Sequence, residues 1–184
     1  MAVLAVREWG DPVLRQKARP VERVTDLHRS LIKDMIDTMR DVPGIGLAGP
    51  QVGVSERIFV YEHEGEAGAL INPAITRRSE DKITSEEGCL SIPGLYYDVE
   101  RATEVSVEGV DADGAPVMIE GAELLARIFQ HEIDHLDGVL FIDHLPDEQR
   151  KEALRTLREQ ALGLVPPGPA HARGPGAGGA EEML

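Results

Sequence analysis

The chain has 184 residues, of which 42% are apolar, and it carries a formal net charge of −14. This length and composition predict one globular domain that is large enough to bury a core. The strong negative charge argues against nonspecific binding to nucleic acid or to an anionic membrane surface. A single cysteine, Cys89, excludes an internal disulfide.

The N-terminus and the apolar runs of the chain indicate its compartment. The opening residues, MAVLAVREWGDP, contain a short apolar run with no basic region before it, which is unlike a signal peptide. No stretch approaches the ~20 consecutive apolar residues of a membrane span. We therefore expect a protein of the reducing cytoplasm with no membrane partner, and a monomer as the default state.

Residues 24–44 have the pattern of an amphipathic helix, because apolar residues recur there at steps of three and four. Thr25 or Asp26 can cap the start of this helix, and Pro43-Gly44 ends it. We expect the apolar face to pack in the core. The predicted inward stripe consists of Val24, Leu27, Leu31, Met35 and Met39.

Strands are predicted in the middle of the chain. The runs at 57–62 and 69–76 are rich in residues that favour strands. The segment 104–120 reads as a hairpin, in which Asp113-Gly114 supplies the turn between two alternating runs.

Two helices are predicted in the last third of the chain. The first covers 121–138 and ends at Gly138. The second covers 146–163, with Leu154, Leu157 and Ala161 on one stripe.

The composition changes after Gly163. Residues 164–184 are rich in Gly, Pro and Ala and show no periodicity, so we expect a disordered tail. The preceding order of helix, strands, helix and helix predicts an α+β domain over residues 1–163, with mostly antiparallel sheet.

The segment QHEIDH, residues 130–135, sits inside the first of these two predicted helices. Residues four apart lie on one helix face, so His131 and His135 can chelate one metal ion. Glu132 is rotated by about 100° from His131. It can therefore act as a base on water at an open metal position without being a ligand itself. The alternative is two buried histidines that make ordinary hydrogen bonds.

A catalytic metal site of this kind needs a third protein ligand. The metalloprotease continuation HExxHxxGxxH fails, because Phe141 occupies its last position and His144 lies off the spacing. The upstream candidate is Cys89 in EEGCLSIPG, where a thiolate suits a metal that two histidines already hold. A lone cysteine is nevertheless more often an inert buried residue. The downstream alternatives are Glu148, Glu152 and Glu159.

The glycine-rich segment GIGLAGPQVG, residues 44–53, is not a phosphate-binding loop by its context. The GxGxxG motif needs a strand before it and a helix after it, and here the predicted order is reversed. The segment also lacks the GK[ST] of a P-loop. Its simplest interpretation is a structural turn that joins helix to strand.

The three segments together resemble the peptide deformylase family. That family's first motif is GxGLAAxQ, and the chain reads GIGLAGPQ at 44–51. The second motif, EGCLS, is intact at 87–91, and the third, QHExDH, is intact at 130–135. The similarity covers roughly residues 1–160. It implies an α+β fold with antiparallel sheets around a central helix that carries HExxH.

The resemblance also implies an activity and a cofactor. The expected reaction removes the formyl group from the N-terminal formylmethionine of nascent chains and releases formate. Cys89, His131 and His135 would bind one divalent metal, natively Fe²⁺, with zinc, nickel or cobalt as substitutes in a preparation. The expected partners are formylated nascent peptides at the ribosome exit, with no nucleic-acid specificity.

The resemblance assigns roles to further residues. Glu132 would be the general base and then the proton donor, while Gln51 and the backbone N–H of Leu90 would hold the oxyanion. Gly46 and Gly88 would offer backbone groups to the substrate. The residues that would line the methionine pocket are Ile45, Leu124 and Ile128.

Two departures from the family pattern and two rival functions remain open at this point. Gly49-Pro50 replaces part of the first motif, and the stretch GLYYD at 94–98 lacks a basic residue that some relatives carry there. One rival is an HExxH peptidase with a different third ligand. The other is a noncatalytic metal-binding or ribosome-associated module, which would have no need of Glu132 as a base.

Overall fold

A computed structural model describes residues 2–166. This part of the chain contains three α-helices and seven β-strands, with short 3₁₀ turns between some of them. The helices are α1 (Asp26–Asp41), α2 (Glu123–Leu136) and α3 (Asp147–Ala161). The strands are β1 (Gly46–Ala48), β2 (Ile58–His63), β3 (Glu66–Arg78), β4 (Lys82–Cys89), β5 (Ile92–Ala102), β6 (Glu104–Val110) and β7 (Pro116–Ala122). The 3₁₀ turns are Pro12–Arg15, Gly49–Val52 and Phe141–His144.

The strands form two antiparallel sheets around α2. The larger sheet has the order β1-β2-β3-β6-β7, and β4 pairs with β5 in the smaller one. Helix α2 contacts strands of both sheets. Its Phe129 packs against Phe59 and Tyr61 of β2, with ring centroids 5.8 and 5.0 Å apart. The predicted α+β fold, with antiparallel sheets around the helix that carries HExxH, is therefore confirmed.

Helix α1 forms where it was predicted, but its buried face differs from the predicted stripe. Met35 and Met39 are buried as expected, whereas Leu27 is 82% exposed and Ile32 takes an inward position. Leu27 lies about 80° around the helix from Met35. His28 faces inward at the start of the helix instead, and its Nδ1 accepts a hydrogen bond from the backbone N–H of Thr25 at 3.0 Å.

The other predicted elements are present with small changes. The strands at 57–62 and 69–76 are β2 and β3, and the predicted hairpin is β6–β7 with Gly114 at φ +84°. Helix α2 stops at Leu136, two residues before Gly138. On α3, Leu157 is buried but Ala161 is exposed, because the last turn of the helix extends past the cluster in which Leu157 packs.

The sequence reading missed β1, β4 and β5. In β4, the seven residues before Cys89 show no apolar alternation, and the first of them are exposed. This strand therefore carries no periodic signal. Cys89 ends β4, and Leu90-Ser91 turn the chain into β5. The segment 44–53 likewise contains β1 and a 3₁₀ turn, where a turn alone was expected.

The predicted tail at 164–184 falls almost entirely outside the described residues, so both the tail and the domain boundary at residue 163 stay predictions. Within residues 2–166, no helix is both long and apolar enough to cross a membrane.

Candidate active site

Cys89, His131 and His135 converge in the structure, although Cys89 lies 42 positions before the first histidine. Their ligand atoms all lie within 4.8 Å of one another, and all three residues are buried. Cys89 Sγ is 3.2 Å from His135 Nε2. Two ligand atoms on one tetrahedral ion are about 3.5 Å apart, given a metal–sulfur distance of about 2.3 Å and a metal–nitrogen distance of about 2.0 Å. The spacing therefore suits a shared cation.

The other candidate third ligands point elsewhere. The ring of Phe141 stacks near His131 at a centroid distance of 6.3 Å. His144 Nε2 lies 2.7 Å from Asp134 Oδ2 rather than toward the histidine pair. In residues 2–166 no other group of three such side chains has metal-binding spacing, so Glu148, Glu152 and Glu159 of α3 form no such group with the histidines.

His131 is oriented by a buried carboxylate, that of Glu87. The His131 Nδ1 lies 3.1 Å from Glu87 Oε2, while its Nε2 is buried and has no hydrogen-bond partner within residues 2–166. An unpaired buried polar atom costs about 1–3 kcal/mol. A cation bound by Nε2 would remove that cost, and the Glu87 contact leaves Nε2 free for it, because it places the ring proton on Nδ1.

Glu87 is held in turn by two arginines, and sequence reasoning missed its role. Arg101 donates from Nε and Nη2 to Glu87 at 2.9 and 3.0 Å, and Arg127 Nη1 donates at 2.6 Å. Burial alone would raise the pKa of Glu87, but the hydrogen bonds from His131 and Arg101 hold it far below its usual range. No local spacing indicates this role, because the partners come from β5 and α2.

Glu132 is equally buried, but its surroundings are the opposite. Its carboxylate is 0% exposed, and neither oxygen has a hydrogen-bond partner among the described residues. Burial, followed by the nearby charges of Glu87 and Asp134, raises the pKa of Glu132 well above its usual value. The side chain lies over Gly46, where a Cβ would come within 2.3 Å of Glu132 Oε1. A glycine at position 46 therefore leaves room for this carboxylate.

Gln51 lies in the 3₁₀ turn after β1 with its amide directed at the cysteine. Its Oε1 accepts from the N–H of Ala48 at 2.7 Å, and its Nε2 donates to Ser91 Oγ at 3.3 Å and faces Cys89 Sγ at 3.6 Å. The departure at Gly49 has a local explanation. A Cβ there would lie within 2.9 Å of two backbone carbonyl oxygens, so the tight turn requires glycine.

Leu90 and Gly88 flank Cys89, and each contacts another part of the cleft. Leu90 is buried, and its Cδ1 would lie 2.8 Å from a Cβ on Gly44. The ring of Tyr96, in the GLYYD stretch, covers Gly88, where a Cβ would come within 2.5 Å of Tyr96 Cε1. Glycine at positions 44 and 88 thus permits close packing between the first and second motifs.

The residues predicted for the methionine pocket are only partly brought together. Ile45 and Leu124 line one cavity of about 510 Å³, which extends toward the β2–β3 turn at His63. Leu124 is 41% exposed. Ile128 is fully buried in the cluster between α2 and the larger sheet and does not line this cavity.

The protein groups alone favour neutral ligands at the cluster. Burial raises the pKa of the Cys89 thiol to about 12 and lowers the pKa of His135 well below its usual value. A bound divalent cation reverses this preference for the thiol, because coordination deprotonates cysteine. The neutral imidazole is already the form that binds metal.

The sequence and the fold both match one family. A family profile described as polypeptide deformylase matches residues 3–151. The peptide deformylase of Acidothermus cellulolyticus is 54% identical over 159 residues, which cover 86% of this chain and 88% of the relative. That of Brucella suis is 49% identical over 156 residues, covering 82% of this chain and 89% of the relative.

Solved structures agree with these sequence matches. The crystal structure of peptide deformylase from Thermus thermophilus superposes with a TM-score of 0.82 at 45% identity, covering 88% of this chain and 97% of that one. A peptide deformylase from Synechococcus elongatus in complex with actinonin gives 0.79 at 45% identity, with 83% and 85% covered. The chain therefore belongs to the polypeptide deformylase family, and it is a metal-dependent hydrolase that removes the N-terminal formyl group from nascent peptides.

Proposed function

We propose that Cys89, His131 and His135 hold a single divalent ion, natively Fe²⁺, and that Glu132 acts as the base of the deformylation reaction. The observation that carries the proposal is the contrast inside the cleft. Three ligand atoms converge within 4.8 Å, while the carboxylate beside them has no hydrogen-bond partner among the described residues. A structural metal site closes all its positions with ligands and has no use for such a carboxylate.

The reaction breaks the C–N bond of the formamide and joins a water oxygen to the formyl carbon. A bound divalent cation supplies Lewis-acid polarisation and lowers the pKa of water. Glu132 takes one proton from the attacking water and returns it to the departing amine, so that formate and a free N-terminus leave.

Two hydrogen-bond donors of this chain stabilise the negative charge that develops on the formyl oxygen. The Nε2 amide of Gln51 and the backbone N–H of Leu90 flank Cys89 from opposite segments, the 3₁₀ turn and the β4–β5 turn. Because both are fixed before the reaction starts, they stabilise the oxyanion without reorganising. Loss of one such donor typically costs about 10²–10³-fold in kcat.

The substrate-binding proposal uses the remaining predicted residues. Ile45 and Leu124 supply the apolar wall for the methionine side chain, and Ile128 supports that wall from within the core. Gly46 and Gly88 present backbone groups to the peptide. A formyl carbon carries only hydrogen, so a tight site next to the cation rejects an acetyl group by shape.

We extend the proposal to the cellular setting. The catalytic domain covers residues 1–163 and works as a cytoplasmic monomer on nascent chains near the ribosome exit, with no nucleic-acid specificity. The net charge of −14 supports the last point, because a strongly acidic protein gains nothing from phosphate contacts.

The test is formate release from a formyl-Met tripeptide, with the acetyl-Met tripeptide as the control substrate. We expect one formate per free amine from the first and no acetate from the second. Cys89→Ala should lose both metal and activity, because two histidines alone hold a cation weakly. Retention of metal and full activity in this variant would support a peptidase-type site with a different third ligand.

The identity of the metal is tested on the same assay. Protein purified under nitrogen should lose activity rapidly in air if the site holds Fe²⁺, whereas zinc-reconstituted protein should not change, since zinc has no redox chemistry. Anaerobically purified protein that contains zinc and is unaffected by air would overturn the assignment of iron.

A further inference from the structure

The segment before the first 3₁₀ turn is hydrogen-bonded to both loops that carry the proposed oxyanion donors. The backbone N–H of Arg7 donates to the carbonyl of Gln51 at 2.7 Å. Two residues later, the N–H of Trp9 donates to the carbonyl of Ser91 at 2.8 Å. One short piece of chain thus joins the 3₁₀ turn of the first motif to the β4–β5 turn of the second.

Upstream of these bonds, the same segment is hydrogen-bonded to side chains of α1. The backbone N–H of Ala2 donates to Asp34 Oδ1 at 3.2 Å, and that of Leu4 donates to Thr38 Oγ1 at 2.9 Å. Residues 2–9, which we call the N-terminal strap, are therefore tied at four points although they belong to no helix or strand.

The far end of the strap is fixed by the side chain of Trp9. The indole packs against the cluster that contains Ile92, the first residue of β5, and Leu157 of α3. The Trp9 amide consequently cannot move away from Ser91 without exposing apolar surface. This anchor keeps the strap in register with the β4–β5 turn.

Both bonded loops are short. Gln51 sits in a 3₁₀ turn of four residues, and Leu90 and Ser91 are the only residues between β4 and β5. Two residues of chain span at most about 7 Å. The Arg7 and Trp9 amides therefore limit how far the carbonyls of Gln51 and Ser91 can separate.

We infer that the N-terminal strap is a positioning element for the reaction, which sets the spacing between the Gln51 amide and the Leu90 N–H. This inference rests on the oxyanion role proposed for those two donors. The strap acts through the backbone carbonyls of Gln51 and Ser91, which its Arg7 and Trp9 amides bond. Its effect should consequently fall on kcat, where oxyanion stabilisation is expressed, and leave KM unchanged.

The test removes one donor of the strap in the metal-loaded, full-length protein. Arg7→Pro deletes the N–H that bonds Gln51, and Arg7→Ala keeps that N–H while removing the same side chain. Only the additional loss in Arg7→Pro counts toward the inference. We expect kcat per bound metal to fall about tenfold, less than the 10²–10³-fold that follows complete removal of a donor, with KM within about twofold.

Glu8→Pro is the matched control for the proline ring. It lies between the two donors, and the amide of Glu8 makes none of the four strap bonds. This variant should keep both kcat and KM. Equal losses in Glu8→Pro and Arg7→Pro would overturn the inference, because the cause would then be a proline in the segment rather than a missing bond.

A double-variant cycle separates this inference from the proposed function. If the strap acts through Gln51, adding Arg7→Pro to Gln51→Ala should cost less than about twofold further in kcat. Additive losses would overturn the inference. Full activity in Gln51→Ala alone would overturn the role proposed for Gln51 and the inference with it. A large loss in Gln51→Ala with none in Arg7→Pro would overturn only the strap.

A second variant keeps the test valid if Arg7→Pro does not fold. Trp9→Ala retains the amide but removes the ring that anchors the strap, and we expect kcat to fall about threefold with KM unchanged. All variants are compared well below their melting temperatures and per bound metal. Unchanged kcat in Trp9→Ala, with a lowered melting temperature, would assign the ring to stability alone and contradict the anchor.

Discussion

The two glutamates beside the histidine pair have the same side chain and the same burial but opposite surroundings. Glu87 is 1% exposed and is hydrogen-bonded to Arg101, Arg127 and His131. Glu132 is 0% exposed and has no hydrogen-bond partner within residues 2–166. The pKa of Glu87 is accordingly held low, while burial raises that of Glu132. Neighbours, rather than residue type, decide which carboxylate anchors the site and which one is left to react.

The difference follows from the elements that meet on each side. Glu87 lies on β4 and faces cations supplied by β5 and α2, and Arg101 continues the chain of charges outward to Asp134 at 2.6 Å. Glu132 faces Gly46 of β1, which offers no side chain at all. One side of the site is therefore a network of paired charges, and the other side holds a carboxylate that has no hydrogen-bond partner within residues 2–166.

The largest expected effect comes from Glu132→Gln. The substitution keeps the shape of the side chain but removes its ability to accept a proton, so formate release should fall by about 10²–10⁴-fold. Metal content should not change, because Glu132 is not among the converging ligand atoms. Rate and metal are measured on the same sample. Full activity in this variant would contradict the assignment of Glu132 as the base.

The same substitution at Glu87 should have the opposite consequences. Glu87→Gln removes the negative charge that neutralises Arg101 and Arg127, and breaking a buried pair of this kind costs about 3–5 kcal/mol of unfolding free energy. Metal affinity should fall about 10–100-fold, because His131 loses the group that orients it.

Chelator competition and thermal melting measure these two effects. Glu132→Gln is the matched control, since residue type, burial and substitution are identical. Equal stabilities for the two variants would show that the network around Glu87 does not hold the site together.

The two regions also differ in how far the sequence predicts them. The spacing of His131 and His135 places them on one face of a helix, so local periodicity alone predicts the pair, and the convergence of Cys89 was suggested by the motif resemblance. The bonds of Glu87 have no comparable signal, because Arg101 and Arg127 lie 14 and 40 residues away in sequence. The pairing with Arg101 depends on the β4–β5 hairpin, which was not predicted because β4 lacks apolar alternation, and the pairing with Arg127 depends on the packing of α2 against that hairpin.

The outward position of Leu27 is another feature that sequence periodicity does not predict. Periodicity predicts which residues can share a face but not where that face starts, and here a hydrogen bond between Thr25 and His28 settles the first turn of α1. Gly46 likewise has no explanation at the level of sequence beyond the motif itself. The reason is a contact across the fold, since the space that a Cβ would fill belongs to Glu132.

That contact leads to the smallest of the three expected effects, in Gly46→Ala. The new Cβ would lie 2.3 Å from Glu132 Oε1 and 2.8 Å from its Cδ, so the carboxylate must rotate away. The atoms that the new methyl group would meet belong to the flexible side chain of Glu132 and not to the backbone, so the side chain can shift and the melting temperature should change little. The base would still be present but displaced, and we expect kcat to fall about tenfold with metal content unchanged, since a shift of about 1 Å in a reacting group can cost 10²-fold.

Gly44→Ala is the comparison for this variant, because it adds the same methyl group two residues away. Its Cβ would lie 2.8 Å from Leu90 Cδ1, and none of its three nearest neighbours is an atom of Glu132. We therefore expect a smaller loss of kcat. Combining Gly46→Ala with Glu132→Gln adds a second constraint. Once the base is gone, the methyl group has nothing left to displace, so the double variant should be no slower than Glu132→Gln alone. A further drop would mean that the methyl group also obstructs the approach of the substrate to the backbone of Gly46, where contact with the substrate is proposed, and the steric effect on Glu132 would then be the minor part of its role.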